Sequence, residues 1–201
     1  IVEAASQIPV MLLNAALDAP NVYSIVSDDF NSMYDATLQM LSTGIKDIVY
    51  FYNSTSYSGK KKLAGYRAAM EEKKLLTGAN LLQFYHGSHE DIPAMTEHLK
   101  KLHDKGLQFH GIIAADDNLA LAAVKYAKLM NYSIPEEFSI LGYNNSMLVN
   151  CCEPELTSID NKLETLCQHL ITTLMGVLSG NEMPKKTIFS GEIIKRGTTK
   201  F

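Results

Sequence analysis

Along this chain, short apolar runs alternate with longer stretches in which apolar residues return every three or four positions. The short runs lie at 9–14, 22–27, 46–52, 80–85, 110–115, 138–143, 157–159 and 187–195. The longer ones lie at 30–43, 58–75, 90–105, 117–130 and 161–179. A period near 3.6 gathers apolar side chains on one face of a helix, whereas an unbroken apolar run suits a strand covered on both faces. Strands separated by helices join as right-handed βαβ units around a parallel sheet. The pattern predicts an α/β fold. Its clearest helix is 161–179, where Leu163, Leu166, Leu170, Leu174 and Val177 share a stripe and Asp160 is placed as the cap. Ser88 with Asp91 resembles a capping box ahead of 90–105.

Open parallel sheets bind ligands outside the carboxyl ends of their strands. Those ends are polar here. They read Ser27-Asp28-Asp29, then Asn53-Ser54-Thr55-Ser56-Tyr57-Ser58, then His86-Gly87-Ser88-His89, then Asp116-Asp117-Asn118, then Asn144-Asn145-Ser146. Together they offer carboxylates, amides and hydroxyls for a polyhydroxylated small molecule, with Tyr or His rings to stack on its apolar face. The plainer alternative is that Asp, Asn and Ser at strand–helix junctions serve only as caps and turns. Of the adjacent Asp116 and Asp117, one is expected to cap a helix and the other to remain free.

Composition narrows the function. A net charge of -4 and a pI near 5.9 argue against this chain gripping nucleic acid by itself. The run Lys60-Lys61-Lys62 reads as a solvated helix face. Cys151, Cys152 and Cys167 form neither a disulfide framework nor a metal spacing, and His86 with His89 offers too few ligands for zinc. No nucleophile elbow, phosphate loop or dinucleotide fingerprint occurs, so no cofactor, no metal and no catalytic residue is expected. No run is long and apolar enough for a membrane span, and no signal peptide opens the chain. It begins without Met, as if inside an element, and is expected to be part of something longer.

Several segments, read in order, carry a resemblance: "IPVMLLN", "SIVSDDFNSMYDATLQMLSTGIKDIVYF", "KLAGYRAAM", "GIIAADDNLALAAVKYAKLMNYSIPEEFSILGYNNS", "EPELTSID" and "IIKRGTT". Over nearly the whole length, the chain resembles the effector-binding domain of LacI/GalR transcriptional regulators. The resemblance implies a two-lobed periplasmic-binding-protein-like fold with parallel sheets flanked by helices and with the effector in the inter-lobe cleft. It assigns 1–27 and 160–189 to an N-terminal lobe that is incomplete in this chain. It assigns 28–156 and 191–197 to the C-terminal lobe, with a DNA-binding helix-turn-helix headpiece lying outside the chain. It also implies ligand contacts at Asn14, Ser27, Ser56, Tyr57, Ser58, Lys62, His89, Asp116 and Asn144. Lys62 stands where the family usually has Arg, and Asp116 and Asn144 exchange the family's usual residue types. The implied partners are a small-molecule effector, a sugar by preference, a second copy of the chain in a homodimer, and DNA through the headpiece. No membrane partner is implied, and the location is the cytoplasm. Residues 147–152 read either as dimer surface or as a short buried helix. A periplasmic or membrane-associated sugar receptor is the alternative.

Overall fold

The computed structural model describes residues 1–52, 56–84 and 91–201. In chain order the elements are α1 (Val2–Ala5), β1 (Val10–Leu13), β2 (Val22–Ser27), α2 (Asp29–Ser42), β3 (Ile48–Tyr52), α3 (Tyr57–Glu72), β4 (Leu81–Gln83) and α4 (Ile92–Asp104). Then follow β5 (Gly111–Ala114), α5 (Asp117–Leu129), β6 (Ser139–Tyr143), β7 (Ser158–Asp160), α6 (Leu163–Leu178), β8 (Lys186–Phe189) and β9 (Glu192–Ile194). Short 3-10 turns precede β4 and follow β6.

The strands make two sheets. The smaller is parallel, in the order β1-β2-β8. The larger runs β4-β3-β5-β6-β7-β9 and is parallel except for the antiparallel pair β7 and β9. Strands β2, β5 and β6 are buried along their whole length, as apolar runs without polar alternation require. The main core lies around the larger sheet, where Tyr50, Phe51, Met70, Met95, Phe138 and Ile140 are sealed from solvent. The exposed large apolar residues cluster elsewhere. Among the described residues, all but Leu129 and Met147 lie in the stretch before β2 or in α6 and β8, around the smaller sheet. Helices α2 and α3 approach closely because Gly65 puts no side chain against the Phe30 carbonyl.

Two sequence expectations need correction. The run 187–195 is not one strand. It is broken after Phe189, and its halves join different sheets, because β8 pairs with β2 while β9 pairs with β7. The cap of α6 is Lys162, in the left-handed region, rather than Asp160. Asp160 instead accepts the Lys162 N–H at 2.8 Å, closing the turn ahead of the helix. For α4, Asp91 is itself the cap, accepting from the Ala94 N–H, while Ser88 lies outside the described residues.

The chain passes between the sheets at β2–α2, β7–α6 and β8–β9, and these crossings are tied together. The Asp28 N–H donates to the Phe189 carbonyl at 2.8 Å, and the Gly191 N–H donates to Ser32 Oγ at 3.2 Å. Lys162 Nζ pairs with Glu192 at 2.6 Å and Asp160 at 3.5 Å.

Candidate functional site

Two acid pairs follow two strand ends, and both split their labour in the same way. After β2, Asp28 caps α2 by accepting the Asn31 N–H, while Asp29 is buried and accepts the Tyr143 hydroxyl at 2.7 Å. After β5, Asp116 caps α5 by accepting the Leu119 N–H at 3.0 Å, while Asp117 is buried. Asp117 Oδ2 accepts from the Ser146 N–H and hydroxyl, both at 2.8 Å, and Oδ1 accepts the Ser158 hydroxyl at 2.7 Å. Gly142 permits this, since a Cβ there would collide with Asp117 Oδ1. Burial is the largest influence on the Asp117 carboxyl and raises its pKa, although its hydroxyl and amide partners pull the other way. The expectation that one of Asp116 and Asp117 stays free is therefore corrected. One caps a helix and the other binds the β6 and β7 ends, so only the second oxygen of Asp116 is uncommitted among the described residues.

Lys62 sits at the centre of this cluster. It is 7% exposed, so the basic run on α3 is not wholly a solvated face: its third lysine turns inward. Its Nζ donates to the Ala115 carbonyl at 3.0 Å and lies 3.7 Å from the centre of the Tyr143 ring, a cation–π contact. Burial lowers the Lys62 pKa, opposed by the nearby charges of Asp29, Asp116 and Asp117. Burial also raises the Tyr143 pKa, helped by Asp29, while the hydroxyls of Ser27 and Ser32 pull it down. The Tyr50 phenol is raised well above its usual value by burial, with Asp29 and Asp116 adding to the effect.

Three buried polar atoms in this region have no hydrogen-bond partner among the described residues, the Ser27 hydroxyl, the Tyr50 hydroxyl and Asn161 Oδ1. The other end of the Asn161 amide donates to Asn144 Oδ1 at 3.1 Å. Buried polar groups in native proteins are almost always paired, so such atoms mark where a partner is wanted. Beside the cluster opens a small cavity of about 100 Å³ lined by Ser27, Asp28, Asp29, Tyr57, Lys61 and Lys186, among others.

Of the residues expected to contact a ligand, Lys62 and Asp116 come together beside the Tyr143 ring, and Asn144 is the next residue along the chain from Tyr143, its Oδ1 accepting from Asn161. Ser27 ends β2, buried, and Tyr57 lines the adjoining cavity. Asn14, in the left-handed region, accepts the Ser27 N–H at 3.1 Å and so pins β1 to β2. Ser56 caps α3 by accepting the Gly59 N–H, and Ser58 is half-buried in the first turn. His89 lies outside the described residues. Sequence reasoning passed over Asp29, Tyr50, Tyr143 and Asn161. The signal for Asp29 was present, because it repeats the strand–Asp–Asp pattern of Asp116 and Asp117.

The capping role of Asp116 makes a measurable distinction. Asp116→Ala is expected to lower unfolding free energy by about 1 kcal/mol, the usual cost of a lost N-cap. Asp116→Ser should restore that stability without restoring the carboxylate, and urea titration of the two variants checks it.

The chain matches the family model for a periplasmic binding protein-like domain over residues 37–199. It is 44% identical over 201 residues to an HTH-type transcriptional regulator of Lachnoclostridium phytofermentans, covering 100% of this chain and 60% of that protein. It is 25% identical over 198 residues to the HTH-type transcriptional regulator AscG of Escherichia coli, covering 98% of this chain and 57% of that protein. A solved sugar-binding transcriptional regulator of the LacI family from Escherichia coli, complexed with phosphate, is similar with a TM-score of 0.85. That likeness holds at 24% identity over 98% of this chain and 70% of the other. The chain thus spans about 60% of the length of these curated relatives. They are transcriptional regulators, so the alternative of a periplasmic receptor is not favoured.

Proposed function

The chain belongs to the periplasmic binding protein-like domain family, in the form carried by LacI-type transcriptional regulators, and from that premise we propose that it is the effector-sensing part of a bacterial regulator. The effector is a sugar or sugar-like molecule, bound where the ends of β2, β5, β6 and β7 meet. The observation that carries this is the convergence of Lys62, Asp116, Asp29 and Tyr143 at one junction between the sheets, with Asn144 following Tyr143 and bound to Asn161.

The action is binding rather than turnover. An effector that touches both sheets favours one angle between them, and shifts the equilibrium only by its differential affinity for the two arrangements. Residues 1–27 and 160–189 form one lobe and 28–156 with 191–197 the other, a division supported by the membership of the two sheets. The lobe motion is passed to a DNA-reading headpiece outside this chain, and the site of action is the cytoplasm. Among the described residues, no helix is long and apolar enough to cross a membrane. The partner subunit is a second copy. A largely apolar groove of about 490 Å³, lined by Ile92, Leu121, Val124, Leu129, Cys151 and Cys152 and edged by Lys125, Lys128 and Glu153, supports that docking, as does the neighbouring Met147, 85% exposed. Residues 147–152 are partly surface and partly core, since Val149 is buried.

Thermal shift against mono- and disaccharides, followed by an assay for consumption of any hit, tests the proposal. A hit that raises the melting temperature and is recovered unchanged supports a sensor, whereas consumption removes it. Tyr50→Phe gives a second check with opposite signs. Removing a buried, unpaired hydroxyl is expected to raise apo stability by about 1 kcal/mol. The same change should weaken the hit's affinity, because that hydroxyl is held for the ligand.

A further inference from the structure

We infer that the effector carries a basic nitrogen, so that its ammonium completes a floor that, among the described residues, is short of positive charge. This rests on the effector-site proposal and deepens it. Among the described residues, the buried floor holds Asp29 at 3% exposure, Asp117 at 1% and the half-buried Asp116, against a single buried cation, Lys62 at 7%. Lys62 is already committed to the Ala115 carbonyl and the Tyr143 ring, and it makes no ion pair within 4.0 Å among the described residues. The other cations nearby do not redress the balance. Lys61 and Lys186 on the rim are exposed and solvated, Lys162 is paired with Asp160 and Glu192, and Arg196 donates to Leu156 and Asn145. Charges out of water require compensation by an opposite charge or by donors.

Near this floor the unpaired atoms are Asn161 Oδ1, which only accepts, and the hydroxyls of Ser27 and Tyr50, which can accept from an ammonium as well as donate. Asn161 is 6% exposed and its Oδ1 is an acceptor with no donor among the described residues. The second oxygen of Asp116 is another acceptor, and the Tyr50 oxygen, 0% exposed, can be a third. An ammonium donates three N–H groups and accepts none, which matches such a set better than a hydroxyl does. A phosphorylated or carboxylated ligand would instead set its charge against Asp29 and Asp116. The class indicated is an aminodeoxy sugar or a comparable polyol bearing a primary amine.

The experiment is calorimetric titration of the chain with three matched sets. These are glucose, galactose and mannose, each with its 2-amino-2-deoxy and N-acetylated forms, and with glucuronate and galacturonate as acids. Below the amine pKa, at least one amino sugar should bind about tenfold more tightly than its hydroxyl counterpart, a difference of roughly 1.4 kcal/mol. N-acetylation should abolish the advantage, and raising the pH through the pKa of the free amine should erode it. Asp116→Asn, which retains a capping side chain, should reduce the preference. A neutral or acidic sugar binding as tightly as the amine would overturn this inference and leave the sensor proposal standing. Silence from every compound would count against both.

Discussion

Asp117→Ala is expected to lower unfolding free energy by roughly 3 kcal/mol, the penalty for stranding buried donors. For a domain of this length that is a fall in melting temperature of about 6–12 °C. The Ser146 N–H, the Ser146 hydroxyl and the Ser158 hydroxyl all converge on this carboxylate, so its loss unties the start of α5 from the ends of β6 and β7 together. Asp117→Asn should fall between wild type and alanine, because one acceptor oxygen survives while an N–H group is aimed at a donor. Differential scanning calorimetry on the three proteins checks the order. Equal stability in all three would mean that water replaces the carboxylate freely.

Lys62→Met separates function from stability in the opposite sense. Affinity for a basic effector should rise by on the order of 1 kcal/mol, because the change removes a buried cation beside Asp29, Asp116 and Asp117 while Lys62 itself is already committed to the Ala115 carbonyl and the Tyr143 ring. Apo stability should stay within about 1 kcal/mol of wild type, because methionine keeps the apolar stem and discards a charge whose burial is costly. The pH dependence carries a sign. Burial holds the folded Lys62 pKa below the 10.5 of the unfolded chain. Between those values the unfolded state binds more protons, so stability rises with pH. The contribution is full above 10.5 and is lost as pH falls through the lowered value. Urea midpoints of wild type should therefore gain on those of Lys62→Met as the solution becomes alkaline. A gap that is flat or narrowing in wild type's disfavour would show that Lys62 is not held at a cost.

The alternation of strand and helix was legible because apolar spacing is a local property: the 22–27 run is β2 residue for residue, and 117–130 is α5 but for its last position. The break after Phe189 was not, because it depends on which sheet each half joins and on Gly191 donating to Ser32, more than a hundred positions earlier. The site divides in the same way. Asp116 and Asn144 could be placed by their strand ends, whereas the run holding Lys62 read as a solvated helix face and only the family resemblance singled that lysine out. Asp29 repeats the strand–Asp–Asp pattern, but Tyr50, Tyr143 and Asn161 carry no such signal, because their importance comes from burial and from partners distant in sequence. Ser56 and Asn14 carry the opposite lesson: polar residues at strand ends that the backbone itself claims.

The most direct measurement is amide hydrogen exchange with and without the best-binding sugar. If the polar strand ends form one pocket, protection should rise together at 27–31, 57–62, 115–119, 143–146 and 160–163, and little elsewhere. Protection confined to the groove around Leu121, Leu129 and Cys151, or to the outer face of α6, would contradict a shared effector site between the two sheets.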